Sequence, residues 1–172
     1  MNEKEEGIPK KEALRQVKLG VRRAALIYHY FSKIVVEELG EKRGVELIKR
    51  AINAYGTHIG NAARDKTLAK GRPLIPENFE SDLPDLAWEG EQVTADGEER
   101  YRVYYCPLAK EWIELGEQKW ARLYCFVDQA KMKGFNPGYE YVHIKNILDG
   151  DPYCELVVRP VSKNDSRKPF EG

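Results

Sequence analysis

The chain carries three cysteines, and the one at position 125 lies closest to a second reactive group. Cys125 belongs to the run RLYCFVD, in which Asp128 follows three residues later. Residues at this spacing lie on the same face of a helix, so a thiol and a carboxylate would be neighbours. Such a pair at the edge of a core can line a cleft. The pattern also fits a small buried cysteine beside an exposed aspartate, because free cysteine is among the most buried residue types.

The other two cysteines lie at predicted ends of strands. Cys106 precedes Pro107, where a strand stops and a helix starts. A thiol near a helix N-terminus has a lowered pKa, which suits a nucleophile. Cys154 alternates with Leu156 and Val158, which predicts that it faces the core side of a sheet. For both, a buried structural thiol is the alternative.

The histidines are the candidate bases. His29 and His58 are each expected at the border between core and solvent on two paired helices. His58 lies between Gly56 and Gly60, a spacing that predicts either a close helix crossing or room for a ligand. His143 alternates with two tyrosines of a predicted strand, and an orientation toward the open face of the sheet fits this pattern.

The spacing of these side chains matches no known metal or nucleotide motif. The chain has no CxxC or HExxH pair, no glycine-rich phosphate loop and no GxSxG turn. We therefore expect no cofactor and no metal. A sensor that holds a metal ion or a metabolite through its cysteines, without catalysis, is the alternative function.

Composition favours one globular domain, residues 1–172. Charged residues make up 33% and hydrophobic residues 42%, and 28 basic residues balance 28 acidic ones. A net charge of zero provides no field for nucleic acid or an anionic membrane surface. The start, MNEKEEGIPKKE, has no apolar signal core. We expect a cytoplasmic protein with free thiols, a small-molecule substrate, and no nucleic-acid or membrane partner.

Two long amphipathic helices are predicted to form an antiparallel hairpin over residues 9–70, joined at Gly40. Each helix is expected to bury one apolar stripe. In the first helix the stripe consists of Leu14, Val17, Val21, Ala24, Tyr28, Phe31 and Val35, and in the second of Val45, Ile48, Ile52, Tyr55, Ile59 and Ala62.

The rest of the chain, residues 86–160, predicts the order ββααββ. Strands are expected at 88–94 and 100–106 around an Asp96-Gly97 turn, and at 139–145 and 153–159. Between them lie a short helix and a longer one over 117–133. The fold class is α+β, with the hairpin and a further helix pair packed on a mainly antiparallel four-stranded sheet. Exposed strand edges make a homodimer one expectation, and the tail from 162 to 172 is expected to fray.

Taken in order, the cysteine blocks resemble one known family, the L-2-amino-thiazoline-4-carboxylic acid hydrolases. The resemblance covers roughly residues 20–160 and includes the helical hairpin. It is carried by Cys106-Pro107, Cys125-x-x-Asp128, Gly134-Phe-Asn-Pro137 and Gly150-Asp-Pro-Tyr-Cys154.

This resemblance implies hydrolytic opening of a cyclic isothiourea-like ring to an N-carbamoyl amino acid. The attacked carbon needs a nucleophile, for which Cys125, Cys106 or an activated water is available. Asp128 would bind the protonated amidine, and His29 or His58 would serve as base and then acid. The remaining expected contacts with the substrate come from Arg64, which would bind its carboxylate, and from Cys154 and Tyr124.

Overall fold

The computed structural model describes residues 7–80, 82–83 and 85–161, so the predicted tail lies outside the described residues. Helices α1 (Lys10–Leu39) and α2 (Glu41–Ala69) form the predicted antiparallel hairpin. Gly40 joins them with a φ of 75°, a left-handed conformation that glycine adopts without steric cost. None of the described helices has the length and apolar character required to cross a membrane.

The predicted stripe of α1 is buried only in part, with Val21 buried and Val17, Tyr28 and Val35 packed against the core. Ala24 and Phe31, expected inside, are exposed, whereas Ala25 and Ser32 are buried. The small residues allow close approach of the following elements, and the indole of Trp112 donates a hydrogen bond to the Ala25 carbonyl at 3.0 Å. In α2 the predicted Ile48 and Ile52 are buried, but Tyr55 and Ala62 are exposed.

Four antiparallel strands form one sheet in the order β1-β2-β4-β3. They are β1 (Glu89–Ala95), β2 (Glu98–Tyr105), β3 (Tyr139–Lys145) and β4 (Cys154–Pro160). Asp96 and Gly97 connect the first two with φ angles of 53° and 77°, as a type I′ hairpin turn requires. The α+β prediction is therefore confirmed.

The predicted helix over 117–133 is divided into three pieces. The pieces are the single turn α4 (Gln118–Ala121), a 3₁₀ turn (Arg122–Cys125) and helix α5 (Phe126–Phe135). The short helix predicted before them is α3 (Pro107–Glu114). The sequence has neither glycine nor proline over 117–133, so no local signal marks the change. Cys125 ends the 3₁₀ turn, and Asp128 lies in the first turn of α5.

Glycines bring α2 and α5 into backbone contact. A Cβ atom at Gly60 would lie 2.1 Å from the Lys131 carbonyl oxygen, and one at Gly56 would lie 2.6 Å from the Ala130 Cβ. Gly134 makes the equivalent close approach from α5, since a Cβ atom added there would lie 2.7 Å from the Thr57 carbonyl oxygen. The glycines flanking His58 therefore serve a close helix crossing. This crossing fixes α5 beneath the sheet.

Candidate active site

A cavity of about 220 Å³ lies between the inner face of the sheet and helices α3 and α5. Side chains from β2, β3 and β4 form one wall, and side chains from the two helices form the other. All three cysteines and Asp128 line it, together with Tyr124. Residues that are far apart in the sequence, from 106 to 154, are thus brought to one place.

Each thiol reaches the cavity from the end of an element. Cys106 lies between β2 and α3, Cys125 ends the 3₁₀ turn, and Cys154 begins β4. The backbone N–H of Ile147 donates to the Cys154 sulfur at 3.4 Å. All three are free thiols.

Burial holds the three thiols in their neutral form. It raises the pKa of Cys125 to about 12, although hydrogen bonding to Asn146 and the charge of Arg122 act in the opposite direction. Burial also raises the pKa of Cys106, against backbone N–H groups at the start of α3, and that of Cys154. The predicted lowering of the Cys106 pKa by the helix N-terminus is therefore wrong, because desolvation outweighs it.

His143 is the histidine that the structure places on the cavity wall. Its side chain is only 6% exposed, and it pairs in register with Leu156 of β4 on the inner face of the sheet. The prediction that it lies on the open face is therefore wrong. Alternation gave no clear signal, since both faces of β3 carry mixed polar and apolar residues.

Asn146 fixes which nitrogen of His143 carries the proton. The Asn146 Oδ1 accepts the Leu148 N–H at 2.9 Å, so the amide nitrogen must face His143 Nδ1, 3.0 Å away. An amide N–H donates, so Nδ1 accepts and the ring proton resides on Nε2. Asn146 is itself 1% exposed, and its backbone N–H donates to Asp151.

The protonated Nε2 of His143 lies 3.3 Å from the Asp128 Oδ2. The two groups do not form a hydrogen bond, and Nε2 has no hydrogen-bond partner among the described residues. A buried donor without a partner costs free energy. A bound water or ligand that accepts from Nε2 would remove this cost.

Lys131 supplies a buried cation to the same cavity. It is 7% exposed, and its Nζ lies 2.7 Å from the Asp82 carboxylate. It follows Asp128 by three residues on α5, so the two lie on one helix face. The cavity wall therefore presents a carboxylate and an ammonium group about one helical turn apart.

Aromatic rings close the side of the cavity that faces α1. Tyr124 contacts Tyr28 with ring centroids 5.0 Å apart and Trp112 at 5.5 Å. Burial raises the pKa of Tyr124, so its hydroxyl stays protonated. These rings exclude water from the wall beside Cys125.

Three predicted site residues lie elsewhere. His29 is buried on α1 with its ring against Tyr30, and His58 is exposed on α2. Arg64 pairs with its neighbour Asp65 at 3.0 Å on the surface. None of the three lines the cavity, where His143 and Lys131 offer the corresponding chemistry.

No group of three or more histidine, cysteine, aspartate or glutamate side chains within the described ranges is arranged to hold a metal ion. The donors around the cavity are instead suited to organic groups: a carboxylate for a cation, an ammonium for an anion, and neutral thiols between them.

A small, partly apolar cavity with a few convergent polar and ionisable groups is the usual form of a site that binds a small molecule. The sequence model of the family described as L-2-amino-thiazoline-4-carboxylic acid hydrolase matches residues 21–158, and the chain belongs to this family. The match includes all three cysteines, Asp128, Lys131 and His143. No curated protein and no solved structure matches the chain significantly.

Proposed function

We propose that this protein hydrolyses a small cyclic amidine that carries a carboxylate, converting 2-amino-thiazoline-4-carboxylate to N-carbamoyl-cysteine. The observation that carries the proposal is the placement of Asp128 and Lys131 one turn apart on the wall of a thiol-lined cavity. The substrate is zwitterionic near neutral pH, with an amidinium group at one end and a carboxylate at the other. The wall offers the complementary charge to each end.

The cavity volume supports a small substrate. At about 220 Å³ it is smaller than the pockets of roughly 300–1,000 Å³ that hold drug-sized ligands. A five-membered ring with one carboxylate and one amino substituent suits this space.

Asp128 binds the amidinium in this proposal. The charge-assisted hydrogen bonds from the amidinium N–H groups stabilise its protonated form, which makes the ring carbon between nitrogen and sulfur electrophilic. His143 lies beside the same carboxylate, with its Nε2 3.3 Å from the Asp128 Oδ2, where it can donate to a water or ligand bound at Asp128. Lys131 binds the substrate carboxylate while it remains paired with Asp82.

The reaction adds one water molecule and breaks one bond. The water oxygen bonds to the electrophilic carbon, the bond from this carbon to the ring sulfur breaks, and the sulfur leaves as a thiol with a proton from the water. The product keeps both nitrogens: one is in the new carbamoyl group, and the other is the α-nitrogen of cysteine that carries it.

Direct attack by water is favoured over attack by a cysteine. A thiol is nucleophilic as the thiolate, and burial raises the pKa of Cys125 to about 12. The other two thiols are held neutral in the same way. We assign the cysteines to the wall of the site, where their polarisable sulfurs contact the ring.

Kinetics with two substrates test this proposal. The purified protein is expected to convert 2-amino-thiazoline-4-carboxylate to N-carbamoyl-cysteine, and Lys131→Met is expected to raise KM for it by about 100-fold, because one desolvated charge partner is lost. With 2-amino-thiazoline, which lacks the carboxylate, wild type and variant should have similar kcat/KM.

Lys133→Met is the matched control, since Lys133 is exposed on the same helix. Lys133→Met should leave KM and kcat/KM for both substrates at their wild-type values. Binding of the carboxylate substrate without product formation would show a binding protein and contradict the hydrolase proposal.

A further inference from the structure

The outer face of α1 carries large apolar side chains in solvent. Ile27, Tyr30, Phe31 and Ile34 are 66%, 58%, 72% and 54% exposed. With 100° per residue, all four project within about 100° of arc, so they form one stripe along the helix. Leu26 and Val35 border the stripe and complete an open apolar groove.

The opposite face of α1 is the one that packs against the rest of the protein. Its buried residues are small or polar for the most part, namely Val21, Ala25, His29 and Ser32. Tyr28 and Val36 at its border pack against the core, but the four residues of the outer stripe point into solvent. A contiguous apolar stripe on the exposed face of a helix indicates that this stripe has a partner.

Opposite charges bound the stripe at its two ends. Arg23 lies four residues before Ile27, and Glu38 lies four residues after Ile34, both on the same side of the helix. Both are exposed, and neither forms an ion pair within the part of the chain that the structure describes. The distance from Arg23 to Glu38 along the axis is about 22 Å.

We propose that the α1 stripe binds the α1 stripe of a second copy of this chain, in antiparallel orientation. A two-fold axis between Tyr30 and Phe31 places each residue opposite its mirror position about 30.5. Ile27 then faces Ile34 of the second copy, the aromatic rings meet at the axis, and Arg23 faces Glu38. One surface is thus complementary to itself, as a two-fold interface requires.

The charges select this orientation and this partner. A parallel pair would place arginine on arginine and glutamate on glutamate, which is repulsive. An anionic membrane surface would be repelled by Glu37 and Glu38 at one end of the stripe. The antiparallel pair brings opposite charges together at both ends.

The test is the molar mass of the full chain in solution, measured by light scattering and sedimentation over a range of micromolar concentrations. Wild type is expected to form a dimer whose melting temperature rises with protein concentration, and Phe31→Glu a monomer with an unchanged circular dichroism spectrum and a melting temperature independent of concentration. Leu68→Glu, which removes an exposed leucine of α2 outside the stripe, is the matched control and should remain dimeric.

Charge reversal tests the orientation. Arg23→Glu alone and Glu38→Arg alone are each expected to raise the dimer dissociation constant roughly tenfold, because each creates two symmetric like-charge contacts. The double variant should restore the wild-type value. A monomeric wild type, a dimer insensitive to Phe31→Glu, or a double variant that fails to recover would overturn the proposal. So would a monomer that co-sediments with vesicles of phosphatidylcholine and phosphatidylglycerol.

Discussion

At the scale of single residues, the Asp128 carboxylate lies between the His143 imidazole and the cavity. One oxygen lies 3.3 Å from the protonated nitrogen of His143, while the carboxylate also lines the cavity. Behind the imidazole, Asn146 fixes the tautomer through its own bond to the Leu148 N–H. A backbone N–H thus sets the position of a proton at the cavity wall through two side chains.

The sequence allowed part of this arrangement to be predicted. Their spacing of three residues predicts that Cys125 and Asp128 lie on one helix face, and both line the cavity. The contact between His143 and Asn146 could not be predicted, because it depends on the turn from 146 to 151 and on a bulge at the end of β3. No spacing rule predicts either feature.

Replacement of Cys125 by serine tests whether its thiol is the nucleophile. Because its raised pKa of about 12 keeps it neutral at rest, we expect Cys125→Ser to retain kcat/KM within about tenfold of wild type, as for a wall residue. Steady-state kinetics with 2-amino-thiazoline-4-carboxylate measure this. A loss of roughly 1,000-fold or more with the fold intact would instead assign covalent attack to Cys125.

Replacement of Asn146 by aspartate tests the tautomer. In Asn146→Asp a carboxylate oxygen replaces the amide N–H, so Nδ1 of His143 must carry a proton to keep the bond. Nitrogen NMR should show Nδ1 unprotonated in wild type and protonated in the variant, with kcat/KM lowered by about 10–100-fold. The signals of His29 and His58 serve as internal controls. An identical His143 spectrum in both proteins would refute the assignment.

At the scale of elements, the crossing of α2 and α5 positions one wall of the cavity. Gly56, Gly60 and Gly134 have no side chain in the contact, so the backbones of the two helices approach closely. Lys131 takes part in this contact through its carbonyl, and it also lines the cavity. A displacement of α5 would therefore move Asp128 and Lys131 on the cavity wall.

Gly60→Ala is expected to destabilise the protein by about 2 kcal/mol or more, because the added methyl group would lie 2.1 Å from the Lys131 carbonyl oxygen. Denaturant unfolding monitored by circular dichroism measures the free energy. Gly20→Ala is the control, since nothing lies within 4 Å of its Cβ position and alanine favours a helix. Equal stability of the two variants would show that α2 and α5 are not in close contact.

The elements were predictable where their signals are local. Gly40 and the Asp96-Gly97 pair predict the helical hairpin and the β1–β2 hairpin, since each connection needs a left-handed backbone. The 3₁₀ turn at Arg122–Cys125 and the exposure of part of the predicted α1 stripe were not predictable, because tertiary packing decides both. The α1 stripe shows why: apolar residues occur on two faces, and periodicity alone does not say which face is buried.

At the scale of the whole molecule, the outer face of the sheet is held by an ionic cluster. Glu155 of β4 is 2% exposed and accepts hydrogen bonds from Arg100 at 2.8 Å and Arg102 at 2.7 Å. These bonds lower the pKa of Glu155 below its ordinary value of 4.5. The cluster joins β2 to β4, the two strands that carry Cys106 and Cys154 at their ends.

Because the pKa of Glu155 is lowered in the folded protein, the free energy of unfolding should decrease at acidic pH. The contribution of Glu155 is present above pH 4.5, the ordinary value, and is lost as the pH falls through the lowered folded value. Glu155→Gln should lower the free energy of unfolding at pH 7 by about 2 kcal/mol and flatten the dependence below pH 4.5. Urea unfolding from pH 3 to pH 7 tests this. Parallel curves for wild type and variant would contradict it.

The kinetics of Asp128→Asn decide whether the cavity that Asp128 lines is the hydrolytic site. The amide cannot neutralise an amidinium, although it fills the same space, so kcat/KM for 2-amino-thiazoline-4-carboxylate should fall by roughly 1,000-fold or more. Circular dichroism should show an intact fold. Turnover by Asp128→Asn at the wild-type rate, or absence of N-carbamoyl-cysteine with the wild-type protein, would contradict the assignment of this cavity as the hydrolytic site.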